Sequence, residues 1–135
     1  MTNVGVAFHI LEHGENVPNG WSQVTGHIVF DVKMDFTRKA PWVLDGHKNP
    51  NVTGSTYAGV VSQESVRIAF TYAALNNLEV CAADIQNVYL TAPSSQKDFI
   101  ICGSEFGLEN VGKKALILRA LYGGKSSGRD FWNHL

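Results

Sequence analysis

Hydrophobic residues alternate with polar ones in several short runs and recur at helical spacing in one longer stretch. Residues 4–11 are a short apolar run suited to a strand. Gly14, Pro18 and Gly20 mark residues 13–20 as a loop. Residues 27–32 are β-branched and aromatic, which predicts a strand; 34–38 supply a turn and 42–44 a returning strand, so a hairpin is expected. The Gly-, Asn-, Thr- and Pro-rich stretch 46–59 reads as a long loop.

Residues 62–76 carry the clearest helix. Ser62 is a fitting N-cap, and Glu64 suits the positive end of the helix dipole. Val66, Ala69, Phe70 and Ala73 share one face, while Ile68, Tyr72 and Leu75 form a second apolar strip. A helix apolar on two sides is expected to be largely buried. Residues 78–85 follow as a strand whose alternation puts Leu78, Val80, Ala82 and Asp84 on one side. Asp84 stands out, because a carboxylate that ends a buried run needs a partner, a metal or water. Short strands are expected at 99–102 and 116–118 around a loop at 103–112. Residues 126–135 begin a helix with Phe131 and Trp132, and the pattern breaks off without a cap, Gly or Pro, as in a truncated element.

Composition narrows the class. The 135 residues suffice for one compact domain, and 44% hydrophobic with 17% charged residues is globular rather than disordered. No apolar run approaches the roughly 20 residues of a membrane helix, and no basic segment followed by an apolar one opens the chain. An intracellular, cytoplasmic protein with no membrane partner is the expectation. Cys81 and Cys102 are the only cysteines, too few for a disulfide framework; reduced thiols are expected, with Cys81 buried in its strand. The net charge of −1 argues against a self-sufficient nucleic-acid binder. Its distribution is more telling. Glu12, Glu15 and Asp31 are the only charged residues up to position 32, whereas Lys113, Lys114, Arg119, Lys125 and Arg129 leave 111–129 purely basic. Such a C-terminal segment suits phosphates. His9 and His13 have zinc-like spacing only on a helix, and their segment reads as strand.

Two stretches carry a resemblance. Residues 81–107 hold Asp84, Tyr89 and Leu90, then Phe106 and Gly107; residues 113–135 hold Ala120, Leu121, Tyr122, Gly123, Lys125 and Arg129. In order and spacing they resemble the copia-type retrotransposon reverse transcriptase domain, with its Asp-x-x-x-Ala-Phe/Tyr-Leu motif and its later Ala-Leu-Tyr-Gly-Leu-Lys-Gln-x-x-Arg-x-Trp motif. Lys39, Ala40, Val43 and Gly46 match the family's upstream fingers hairpin. The likeness covers residues 25–135; residues 1–24 are only weakly assigned.

The resemblance implies an α+β chain forming part of a right-hand polymerase fold, with a fingers hairpin and an incomplete palm sheet carrying packed helices. It implies template-directed nucleotidyl transfer on an RNA or DNA template-primer with deoxynucleotides, using two Mg²⁺ ions. Asp84 would be the first catalytic aspartate and metal ligand. Tyr89 would exclude a ribose 2′-hydroxyl. Tyr122 and Gly123 would meet the incoming nucleotide, Lys39 and Arg38 its triphosphate, and Lys125 and Arg129 the nucleic-acid phosphates. The sequence departs from the family at three places: Pro41 stands where the family has arginine, Gly124 where it has leucine, and Ser126 where it has glutamine. The family's downstream Asp-Asp pair is absent, so no polymerase activity is expected from these residues alone. A non-catalytic relic with weak nucleic-acid binding is the competing expectation.

Overall fold

The computed structural model describes residues 7–135. The part of the expected first strand at 4–6 lies outside them. Among the described residues, eight short strands and three α-helices form a mixed α+β arrangement. The strands are β1 (Phe8–Ile10), β2 (Ser22–Gln23), β3 (Gly26–Ile28), β4 (Asp31–Val32), β5 (Arg38–Lys39), β6 (Trp42–Leu44), β7 (Asp98–Ile101) and β8 (Lys114–Ile117). The helices are α1 (Gln63–Leu75), α2 (Val88–Thr91) and α3 (Ser127–His134).

The principal sheet runs β1-β8-β7-β2. β8 lies antiparallel to both β1 and β7, and β2 is added parallel at the β7 edge. Alternation works as expected in the central pair: Ile100 of β7 and Ala115 and Ile117 of β8 are almost wholly buried. They join Ala7, Phe8, Val24, Leu44, Cys102, Phe106 and Leu121 in one core. Phe8, Trp42 and Phe106 meet edge-to-face, with ring centroids 5.2–6.0 Å apart, and so clamp the sheet to the hairpin.

The expected hairpin forms, but in two pieces. β3 pairs with β6, and further out β4 pairs with β5. Pro41 explains the break. Its carbonyl accepts from the Val29 N–H at 3.0 Å, but proline has no N–H to return the bond. The outer ribbon is therefore a separate two-stranded unit.

Three expectations need correction. Residues 78–85 are exposed and belong to no sheet: no strand pairs with them, and an isolated run of alternating residues gains no ladder. Cys81 is accordingly exposed, whereas Cys102 is buried. Helix α1 forms as read, with Ser62 Oγ accepting from the Ser65 N–H at 3.1 Å, yet only Ala73 on it is buried. With no strand at 78–85, it has no sheet to cover. The 46–59 loop is also better anchored than its composition suggests. Buried Asn49 donates to Asp98, and Gln96 exchanges bonds with the backbone of Thr53.

Candidate functional site

Tyr89 and Tyr122, one from each motif block, touch edge-to-face with centroids 4.9 Å apart. Tyr89 sits on the single-turn helix α2, which Asn87 opens in the left-handed conformation at φ 53°. Asparagine tolerates this region better than most side chains. Tyr122 begins the turn before α3. Its carbonyl accepts from the Leu44 N–H at 2.8 Å, tying the turn to the hairpin. Both rings are half-buried.

Gly123 follows at φ 81°, a conformation suited to glycine. Its close backbone approach is to the chain itself. A Cβ there would collide with the Leu44 carbonyl oxygen, and one at Gly46 with the Gly123 carbonyl oxygen. The two glycines let the hairpin end and the 121–125 turn interlock backbone to backbone.

The basic C-terminal residues are largely engaged by the chain's own oxygens. Lys125 Nζ donates to the Asn49 carbonyl at 3.0 Å. Arg129 donates to the Ser55 carbonyl, to Ser95 Oγ and to Asp130. Arg119 donates to the Thr91 carbonyl, and Lys113 to Asn110. Lys125 nevertheless keeps an exposed side chain. Arg38 and Lys39 are exposed on β5, in the outer ribbon, and belong to a different part of the molecule from the tyrosine pair.

Asp84 is exposed in the irregular segment before α2 and has no hydrogen bond or ion pair among the described residues. Magnesium needs several oxygen ligands in near-octahedral geometry. Among the described residues no group of three His, Cys, Asp or Glu side chains could hold a metal ion. The residues present do not fit the expected metal pair, since one solvent-facing carboxylate supplies too few ligands.

Sequence reasoning missed three buried carboxylates, Asp45, Asp98 and Asp130, the last of which accepts from the Ser126 hydroxyl, the Ser95 N–H and Arg129. Asp45 accepts from Thr25 Oγ1 at 2.7 Å, His27 Nδ1 at 2.8 Å and Lys48 Nζ at 2.9 Å. Lys48 first, then Thr25 and His27, hold its carboxyl far below the usual range. Asp98 lies on β7 with Asn49 as its hydrogen-bond partner, and burial pushes its carboxyl up. A small, partly open cavity of about 20 Å³ beside Asp98, Asn49, Gln96 and Lys125 has room for a water molecule. The only sequence signal for Asp45 was an aspartate between an apolar strand and a glycine. Nothing in the sequence distinguished Asp98 from a surface residue.

The chain matches no family model, no curated protein and no solved structure. Among the described residues, no helix is long and apolar enough to cross a membrane.

Proposed function

We propose that the chain is a fingers-and-palm portion of a copia-type reverse transcriptase that does not polymerise by itself. The observation that carries this reading is the contact between Tyr89 and Tyr122. The two motifs are far apart in the sequence, and a chance resemblance would give no reason for their two aromatic residues to meet. The interlock of Gly46 with Gly123 supports it further, since it joins the matched hairpin to the second matched block.

The missing function follows from what these residues lack. A single exposed Asp84 does not hold the metal ions that nucleotidyl transfer requires, and Pro41 removes the guanidinium that the family presents to the nucleotide. The test is primer extension. The chain alone gives none. Fused to the downstream portion of a copia-type enzyme that carries the Asp-Asp hairpin, it extends a primer, Asp84→Asn abolishes that extension, and Pro41→Arg lowers the deoxynucleotide KM. A folded fusion that extends nothing, or extends equally well with Asp84→Asn, overturns the reading.

The second reading, a non-catalytic relic module, is favoured by Pro41 and by the internal engagement of Arg129. It is adopted if the folded fusion stays inactive after Pro41→Arg.

A further inference from the structure

The second half of the 46–59 loop lies along one side of α3. A Cβ at Gly54 would stand 2.8 Å from Arg129 Nη1, one at Gly128 would stand 3.3 Å from the Ala58 Cβ, and one at Gly59 would stand 3.7 Å from Trp132 Nε1. Small residues at 54, 58 and 59 let the loop backbone come this near the helix. The fixed end is Asn49, whose side chain donates to Asp98 and whose carbonyl accepts from Lys125. Beyond Thr53, which exchanges bonds with Gln96, the hold on α3 is polar: the Ser55 carbonyl accepts from Arg129 Nη1. Tyr57, Val60 and Val61 are largely exposed and add little to it.

What this segment covers is a guanidinium. Arg129 Nη2 donates to Ser95 Oγ at 2.6 Å and to the Asp130 carboxylate at 3.3 Å. Its Nε is buried and has no partner among the described residues. Asp130 is shared with the Ser126 hydroxyl and the Ser95 N–H, so it balances the charge only from the Nη2 side. Nη1 meets a neutral carbonyl. A charged oxygen is the stronger acceptor, and the guanidinium fork matches phosphate. The Ser55 carbonyl therefore fills a position that a phosphate oxygen would take with more gain.

We infer that residues 54–59 form an autoinhibitory strap over Arg129, which a chain of phosphates displaces. The inference rests on the polymerase-fragment reading for the class of ligand; the strap itself is built from this chain's own loop. Lifting it breaks a hydrogen bond that phosphate replaces and uncovers no large apolar side chain of residues 54–59. The internal engagement of Arg129 is then a reversible cover.

A disulfide can hold the strap shut on demand. The 3.3 Å between the Ala58 Cβ and a Cβ at Gly128 is close to the roughly 3.5–4.5 Å that a disulfide spans. The full chain carrying Ala58→Cys, Gly128→Cys and Cys81→Ser is titrated, oxidised and reduced, with inorganic tripolyphosphate by calorimetry and with labelled oligothymidylate by fluorescence anisotropy at low salt. The oxidised protein is expected to bind at least about tenfold more weakly than the reduced one. Gly54→Val does the opposite without new cysteines. Gly54 sits at φ 81° on the exposed loop, so a side chain there is strained and collides with Arg129 only while the strap is closed. It should tighten binding with an unchanged circular dichroism spectrum, and adding Arg129→Gln should remove both effects. Gating of both probes assigns the site to phosphate chains in general, and gating of oligothymidylate alone to nucleic acid; either upholds the inference. Absence of binding by the reduced protein and by Gly54→Val, binding indifferent to the disulfide, or gating that survives Arg129→Gln overturns it. The two ideas fail separately. An active fusion whose phosphate binding ignores the strap overturns only this one, and strap-gated binding by a folded but inactive fusion overturns only the polymerase reading.

Discussion

Two buried aspartates respond to pH in opposite directions. The Asp45 carboxyl is depressed when folded, mainly by Lys48 and then by Thr25 and His27. Its stabilisation is complete above the ordinary carboxylate value of about 3.9 and is lost as pH falls through the folded value. Asp45→Asn should therefore lower Tm at neutral pH and flatten its decline under acid, measured by thermal melts from neutral to strongly acidic buffer. The Asp98 carboxyl is raised by burial, and Asn49 opposes this only in part. Its contribution is most favourable at low pH and is lost as pH rises from the ordinary value through the raised one. Asp98→Asn should raise the urea midpoint at neutral pH, where the wild type must bury a charge. A lower midpoint would show that the ionised carboxylate is needed. Neither residue was legible in the sequence, because burial of a carboxylate depends on donors supplied by distant segments: Thr25 and His27 for Asp45, Asn49 for Asp98.

Helix α1 shows how far pattern reading reaches at the scale of elements. The Ser62 cap and the helical periodicity were visible, and the observed bounds agree with them to within a residue. Burial was not visible, since periodicity reports which faces are apolar and not what lies against them. Ile68 is 69% and Leu75 82% exposed. Ile68→Ser should thus change global stability by no more than about 0.5 kcal/mol in urea titrations. Ser62→Ala should cost about 1 kcal/mol of the helix's own stability, read as faster amide exchange across α1. A large global loss from Ile68→Ser would mean that α1 is packed in solution. The hairpin was read correctly as an element, but its division was not, although Pro41 was in view: a missing N–H matters only once the register puts it opposite Val29.

Across the molecule, stability is concentrated in the small sheet and the residues it buries. Ile100, on the central strand β7 and only 2% exposed, is the most deeply enclosed large side chain among the described residues. Ile100→Ala should cost roughly 2–5 kcal/mol, measured by denaturant unfolding, and a far smaller loss would place the core elsewhere. The mixed α+β class and the two late strands were readable from local apolar runs. The sheet order was not, because β1 finds its partner in β8 and β2 its partner in β7, pairings that short-range pattern does not encode. That topology also sets a timetable. Since β1 at residues 8–10 pairs with residues 115–117, this strand cannot be zipped into place until residue 117 has left the ribosome. Until then Phe8, which the finished core encloses, stays unsheltered, and assembly waits on slow, long-range closures.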